Sequence, residues 1–428
     1  MREGWGLTTG TCAAAAAKAA AMVLAGGLAP SEVEVPLPGG GEQGEFSGRA
    51  CPALRERGNG RVRVPILFAR QIGGEAALAA VRKDAGQDPD VTHGMEVLAT
   101  VAWQPAGAVM LAAGEGVGTV TKPGLQVPPG QPAINPVPRQ MIAAAVREVT
   151  ARGVRIEIAI PGGRQVAGKT FNPRLGIEGG LSILGTTGFV RPRCAAALHE
   201  ALRCALRVAA ACGVKAPVLV PGNIGARAAR QHFALREEQV IEAGNAWGFL
   251  LDAACGLAGD GGPHTGPHPN PLPTTLRVVP GEGTYGPSPL SRGEGICAFD
   301  ALLLVGHPGK LAKLAAGQWD THSSRSAAAT EYLHGLWPEI SGSPAARIRS
   351  SPSPPARLPK GEGRIGTVEG LLASLATGQR EALCAALAQR VRQAVARRIR
   401  GRIGVAVLLV DMSGRRLGAD GDFSAWQA

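Results

Sequence analysis

The sequence predicts an α/β protein: an α+β amino-terminal part, then a Rossmann-like, doubly wound parallel sheet in the carboxyl-terminal half, interrupted by two disordered insertions. Three observations carry this. An alanine-rich helix signal opens the chain and leads into alternating strand patterns. The second half holds two strand–glycine loop–helix units, the pattern of a parallel sheet. Two segments lack any apolar period.

Thr8-Thr9-Gly10-Thr11 precedes an alanine-dominated run from Cys12 to Leu24. Thr caps helix starts and Ala is the best helix former, so a helix is expected here, ended by Gly26-Gly27. From Val33 to Phe68 apolar and polar residues alternate between Gly/Pro turns, which predicts strands. Residues 95–103 and 154–160 read the same way, and Arg139 to Thr150 predicts a helix just after Pro136 and Pro138. In the second half, Leu198, Leu202 and Leu206 recur at helical spacing before Gly213. The run Val218-Leu219-Val220 ends in Pro221-Gly222-Asn223-Ile224-Gly225. Ala301 to Val305 ends in Gly306-His307-Pro308-Gly309-Lys310 and enters an Ala/Leu-rich helix. Ligands of such sheets sit beyond the carboxyl ends of the strands. A final helix over about 379–400 places Leu383, Leu387, Val391, Val395 and Ile399 on one side, and Ile403 to Val410 is expected as the last strand.

The expected domains are 1–190 and 191–428. Segments 259–295 and 341–364 are Pro/Gly/Ser/Arg-rich and read as disordered insertions. Pro289-Leu-Ser-Arg-Gly-Glu-Gly295 parallels Arg357-Leu-Pro-Lys-Gly-Glu-Gly363, as one DNA repeat inserted twice in frame would produce. Chance similarity between two disordered loops is the alternative.

The net charge of +12 invites a nucleic-acid reading. Its distribution argues against one. Arg347, Arg349, Arg357, Lys360 and Arg364 crowd into 343–364 against Glu362 alone, and the remaining charge is spread widely. Two Tyr and eight Phe are too few for base-stacking platforms. A diffuse positive field suits an anionic small molecule with many carboxylates. The eight Cys form no C-x-x-C pair, which excludes a zinc knuckle or a redox motif, and several read as small buried hydrophobes. A reducing cytoplasm is the simplest compartment. No signal-peptide order is present at the start, and no run approaches the about 20 apolar residues of a membrane span.

Four runs carry chemistry-bearing residues. The first, Lys83 to Gly94, packs Asp84, Asp88, Asp90, Lys83 and His93 into a turn-rich loop. It could bind a metal or move protons, or be a turn whose aspartates bond their own backbone. The second, Gly114 to Gly124 with Pro132 to Arg139, offers glycine N–H groups, Lys122 and Arg139 to an anion, or is a rigid crossover. It lacks the spacing of a dinucleotide fingerprint. The third, Thr170 to Gly188, gathers Asn172, Arg174, Thr186, Thr187 and many glycines and reads as a ligand-binding turn, the alternative being an ordinary connection. The fourth, Gly306 to Lys313 with Asp320-Thr321-His322-Ser323, is no Walker A loop, but a glycine loop opening a helix presents N–H groups to an anion. His307 could equally be a structural histidine.

These runs resemble the cobalt-precorrin-5B C(1)-methyltransferase family. The resemblance rests on Thr8-Thr9-Gly10-Thr11-Cys12, KDAGQDPDVTHG, GEGVGTVTKPGL, PAINPVPR, FNPRLGIEGGLSILGTTG, PGNIG, and GHPGKLAKLAAG with THS, in the family's order and over nearly the whole chain outside the insertions. Two departures stand out. The first insertion separates a helix like Gly248–Asp252 from a strand like Leu302–Val305, which the family joins directly, and Pro308 stands where a hydrophobic residue is usual. The resemblance implies methyl transfer from S-adenosylmethionine to C-1 of cobalt-precorrin-5B, giving cobalt-precorrin-6A in anaerobic cobalamin (vitamin B12) biosynthesis. Cobalt would arrive inside the substrate, so no protein metal site is required. Under this reading Gly222, Asn223, Gly225, Gly306, His307, Gly309 and Lys310 hold the donor, with Thr186, Thr187 and Asn172 adding hydrogen bonds. Lys122, Arg139 and Arg174 grip substrate carboxylates, and His93 or Asp84 moves a proton on the ring. The partner is a small molecule, with no nucleic acid or membrane, and a homo-oligomer is compatible. The rivals are a non-catalytic tetrapyrrole carrier and a nucleotide-using enzyme, the latter needing a phosphate loop and paired magnesium carboxylates that are not found.

Overall fold

A computed structural model describes residues 4–38, 60–105, 107–190, 195–256, 299–322, 329–341 and 367–427. These residues divide between two compact units that meet in sequence at Ala195 and Ala196. The expected insertions, 259–295 and 341–364, lie outside the described residues, apart from Ser341, which ends a helix.

The first unit holds the strands β1 (Gly6–Leu7), β2 (Glu32–Pro36), β3 (Arg61–Pro65), β4 (Phe68–Ile72), β5 (Ala76–Arg82), β6 (Glu96–Trp103), β7 (Val109–Ala113), β8 (Thr119–Val120), β9 (Val154–Ala159), β10 (Ile177–Glu178) and β11 (Phe189–Val190). Its main sheet runs β4-β5-β6-β9-β7, antiparallel except for the parallel β7–β9 ladder. In β6 the alternation is direct: Val97, Ala99 and Val101 are buried and their neighbours reach outward. Strand β5 was not expected. Its Ala-Ala-Leu-Ala-Ala composition favours helix, and pairing with β4 and β6 on both sides overrides that preference.

The helices of this unit are α1 (Thr9–Leu24), α2 (Pro136–Arg147) and the short α3 (Gly163–Ala167). The side chain of Thr8 caps α1 by accepting the N–H of Thr11. Helix α1 packs on β5 and β6 and against α2, and its alanines are fully buried. A methyl group excludes water while letting neighbouring backbones close in. Helix α2 starts at Pro136 rather than at Arg139, because proline suits the first helical position, where its missing N–H is not needed.

The second unit holds β12 (Val218–Val220), β13 (Val240–Glu242), β14 (Ala301–Gly306), β15 (Gly404–Val410) and β16 (Arg416–Asp420) in the order β13-β12-β14-β15-β16. The first four strands are parallel and β16 pairs antiparallel at the edge, so the sheet is mixed and Ile403 to Val410 is not its last strand. The helices are α4 (Ala195–Ala211), α5 (Asn223–His232), α6 (Trp247–Ala254), α7 (Pro308–Ala315), α8 (Ala329–Ser341), α9 (Val368–Ala373) and α10 (Thr377–Arg398). Successive residues of β14 enter different cores. Leu302 and Leu304 join Leu250, Leu311 and Leu387, whereas Leu303 and Val305 join Ala226, Ala229 and Trp426. Covering on both faces explains the unbroken apolar run that the sequence shows there. Arg398 of α10 holds Asp252 of α6 through two hydrogen bonds of 2.9 and 2.6 Å.

Candidate functional site

The strand order of the second unit reverses between β12 and β14: β13 follows on one side of this pair and β15 on the other. In open α/β sheets the crevice at such a switch point is where ligands bind. The loop after β12 is Pro221 to Gly225, and the loop after β14 is Gly306 to Lys310. Glycine is needed where they meet. A Cβ on Gly225 would lie 2.8 Å from the Val305 carbonyl oxygen, and one on Gly306 would lie 2.8 Å from Cγ of Pro221. Gly222 precedes α5 as its cap residue, and Asn223 opens that helix. The residues expected from these two loops are thus brought to one edge of the sheet.

His307 caps α7. Its Nδ1 accepts the N–H of Gly309 at 3.1 Å, and the Lys310 N–H donates to its carbonyl at 3.0 Å. These two N–H groups therefore serve the turn itself instead of meeting an anion, as the sequence had suggested. Burial lowers the His307 pKa despite the nearby carboxylates of Glu369 and Asp411. After β15, Asp411 accepts from the backbone and hydroxyl of Ser413 and from Arg415. Burial opposes its charge, but these donors prevail and draw its pKa down to about 2.

A third loop joins this edge from β13. Lys310 Nζ donates to Oδ1 of Asn245 at 3.5 Å, and the Thr321 N–H donates to the Asn245 carbonyl at 3.1 Å. Lys313, one turn on, donates to the Thr321 carbonyl at 3.3 Å. Asn245, Lys313, Thr321 and Asp411 were not among the expected site residues. The signal for Asn245 was faint, since β13 offers only Val240 and Ile241 as apolar residues before Gly244-Asn245.

In the first unit, the loop from Lys83 to Gly94 is tied to the chain start. Leu7 donates to the Asp84 carbonyl at 2.7 Å and Gln87 to that of Gly4 at 3.0 Å. Lys83 is only 1% exposed and its ammonium bonds Asp90 Oδ2 at 2.7 Å. Oδ1 of Asp90 accepts from the Thr92 backbone and hydroxyl. Burial raises the cost of the Asp90 charge, yet Lys83 and Thr92 outweigh it and hold the pKa low. His93 and Asp84 are exposed neighbours, 3.8 Å apart. Nδ1 of His93 accepts the Ala85 N–H at 3.1 Å, which leaves the proton of the neutral ring on Nε2.

The remaining expected residues are placed as follows. Asn172 is buried; its amide donates to the Gly180 carbonyl and its Oδ1 accepts from Ser182, so it closes the loop it belongs to. Thr187 forms a turn with Phe189, and Thr186 is exposed. All three lie in the first unit, whereas the strand-end loops lie in the second. The Arg139 guanidinium bonds the carbonyls of Ile134 at 2.6 Å and Pro132 at 2.9 Å, which fixes the loop before α2. Arg174 is exposed beside the Phe171 ring. The Lys122 stem covers Gly176, where a Cβ would overlap it. Thr9, Gly10 and Leu184 interlock: the Gly10 N–H donates to the Leu184 carbonyl at 3.1 Å, and the Leu184 N–H donates to Thr9 Oγ1 at 3.0 Å.

Among the described residues no three His, Cys, Asp or Glu side chains converge as metal ligands, and no helix is long and apolar enough to cross a membrane. Cys12, Cys255 and Cys384 are buried thiols, and burial pushes Cys12 up to about 12.

Fold and motifs together define a class: a two-unit α/β protein with glycine loops at a sheet switch point. The profile of the CbiD family matches residues 2–192. A cobalt-precorrin-5B C(1)-methyltransferase of Syntrophotalea carbinolica is 42% identical over 99% of this chain and 98% of its own. Its namesake from Salinispora arenicola is 39% identical over 97% of this chain and 92% of its own. A solved structure, the cobalamin biosynthesis protein (cbiD) from Archaeoglobus fulgidus, is 26% identical, with coverage of 77% of this chain and 84% of its own and a TM-score of 0.33. The chain belongs to the CbiD family of cobalt-precorrin-5B C(1)-methyltransferases.

Proposed function

We propose that the chain methylates C-1 of cobalt-precorrin-5B to give cobalt-precorrin-6A in anaerobic cobalamin biosynthesis, with S-adenosylmethionine as donor. The observation that carries this is identity of 42% along 99% of the chain to a relative of that name. The donor is assigned to the switch point of the second unit, read as Rossmann-like. The residues there fit a methionyl nucleoside: Gly225 and Gly306 let the two loops pack closely together at the strand ends, and Lys310 and Asn245 supply a cation and an amide.

When bound, S-adenosylmethionine supplies a sulfonium-activated methyl group. The ring carbon contributes the electron pair for the new C–C bond, the C–S bond breaks, and S-adenosylhomocysteine leaves. Little acid–base help is needed, so alignment and exclusion of water dominate. Lys122 and Arg174 are assigned to substrate carboxylates. Arg139 acts beneath them, by fixing the Pro132–Ile134 loop. His93, with Nε2–H outward and Asp84 beside it, is assigned to a proton transfer on the ring. Cobalt comes with the substrate, the reaction runs in the cytoplasm, and a homo-oligomer is compatible with all of this.

Calorimetric titration with S-adenosylmethionine and S-adenosylhomocysteine tests the reading, followed by an assay on the cobalt-precorrin. Saturable binding and transfer of the methyl are expected. Tetrapyrrole binding without binding of either nucleoside would favour the carrier instead.

A further inference from the structure

The loop from Lys83 to Met95 connects β5 to β6. Backbone bonds close its base: the Lys83 N–H donates to the Met95 carbonyl and the Gly94 N–H to the Lys83 carbonyl, each at 2.8 Å. Its outgoing limb, Asp84 to Gln87, is pinned by the chain start, through the bonds to Leu7 and Gly4 and a bridge between Trp5 and Gly86. Side chains then join the return limb, Asp90 to His93, to the outgoing one. Lys83 meets Asp90 Oδ2 at 2.7 Å, and His93 Nδ1 accepts the N–H of the fully buried Ala85 at 3.1 Å. Between these points, Asp90 Oδ1 takes the Thr92 hydroxyl at 2.7 Å, and the Asp90 carbonyl takes the His93 N–H at 3.0 Å. One chain of bonds thus runs from the Lys83 ammonium through Asp90 to the peptide that carries the imidazole.

A buried ion pair is a weak source of stability, because desolvation offsets most of the attraction; fixing register is its better-attested use. Here the charges of Lys83 and Asp90 sit inside the loop, and the His93 ring stands outside it. A surface imidazole left to itself samples several rotamers and exchanges its proton between both nitrogens. With Nδ1 engaged by a backbone N–H, the neutral ring keeps its proton on Nε2, where it donates and cannot accept. A neutral imidazole with a fixed N–H can polarise an oxygen of a bound molecule.

We propose that Lys83 and Asp90 are positioning residues for His93. They hold the return limb in register with Ala85, so that the imidazole presents Nε2–H outward as a hydrogen-bond donor to the tetrapyrrole. This deepens the assignment of His93 in the methyltransferase reading and rests on it.

The test compares the full wild-type chain with Asp90→Asn and with the double variant Lys83→Met, Asp90→Asn. The double variant removes both charges together and serves where the single one fails to fold. Two readouts need no substrate: the ring-nitrogen shifts of His93, identified by their loss in His93→Ala, and the hydrogen exchange of the Ala85 amide. They are taken at about pH 8, where an unperturbed His is neutral. The wild type is expected to show a protonated Nε2, a bare Nδ1 and a slow Ala85 amide. In the double variant the ring shifts should move toward the two-tautomer average of free histidine. The Ala85 amide should exchange about tenfold faster while the amides of β5 and β6 keep their rates. With cobalt-precorrin-5B, kcat/KM should fall about tenfold. A wild-type proton on Nδ1, or ring shifts and an Ala85 rate that the variants leave unchanged, would overturn the proposal. Exchange that quickens throughout β5 and β6 would make the pair a general support of the hairpin and overturn it equally. If both readouts respond as expected but His93→Ala turns over like the wild type, the positioning is supported and the reading of His93 on which it rests falls by itself.

Discussion

The imidazole of His307 accepts the backbone N–H of Gly309 through Nδ1, so the residue that follows β14 caps α7. Only the neutral ring can do this. Burial lowers the folded-state pKa of His307 below its unfolded value of about 6.5. The cap's contribution is therefore complete above about pH 6.5 and is lost as pH falls through the lower folded value. His307→Asn keeps a capping acceptor that does not titrate. Melting curves from about pH 7.5 down to about pH 5 should show a shallower loss of stability in this variant than in the wild type. Equal slopes would remove His307 from the account.

The Lys83–Asp90 pair gives a second expectation. Asp90→Asn leaves the ammonium of Lys83, 1% exposed, without its counter-charge. Removing one partner of a buried pair costs about 3 kcal/mol. Urea denaturation should show that loss, and Lys83→Met in the same chain should recover most of it. A single variant as stable as the wild type would mean that the ammonium finds other solvation.

Two arginines expected to grip substrate should part company. Arg139→Ala removes two part-buried hydrogen bonds to loop carbonyls and should cost about 1–3 kcal/mol of stability. Arg174→Ala removes an exposed side chain. It should lower the denaturation midpoint less than Arg139→Ala does and raise the KM for the tetrapyrrole. An unchanged KM would end the assignment of Arg174.

Gly116 adopts φ +73°, and a Cβ there would overlap the Ile160 carbonyl oxygen. Gly116→Ala should destabilise by at least about 2 kcal/mol in denaturant titrations. Gly168→Ala, where a Cβ meets nothing within 4 Å, serves as the control and should be close to neutral. Loss of similar size in both would show that the space at residue 116 is not what matters.

Much of this was legible in the residues. The capped alanine helix, the alternation of β6 and the two apolar runs β12 and β14 each declare themselves through period and punctuation. Strand β5 did not, because its alanines carry a helical preference that only the flanking ladders of β4 and β6 reverse. Strand β16 was hidden as well: Arg-Leu-Gly-Ala-Asp has no strand signature, and β15 supplies the pairing. At the site, glycine loops were readable because a strand leads into each. Which side chains face one another was not. Lys313 and Asn245 are separated widely in sequence and are joined at Thr321 only by the sheet's order. Arg139 and Asn172 looked like ligand contacts because local composition cannot tell a free polar head from one already bonded to its own loop.

The alanine face of α1 has an evolutionary consequence. With β5 and β6 on one side and α2 on another, the fully buried positions from Ala13 to Ala21 have room for little more than a methyl before the layers part. Random substitution of alanine mostly adds bulk, so this segment should behave as a sequence fossil, drifting least while the strands around it exchange one aliphatic residue for another. Lys18 is the exception: its ammonium reaches out to the Glu34 carbonyl and to Glu148, so that position is held by those partners rather than by lack of space.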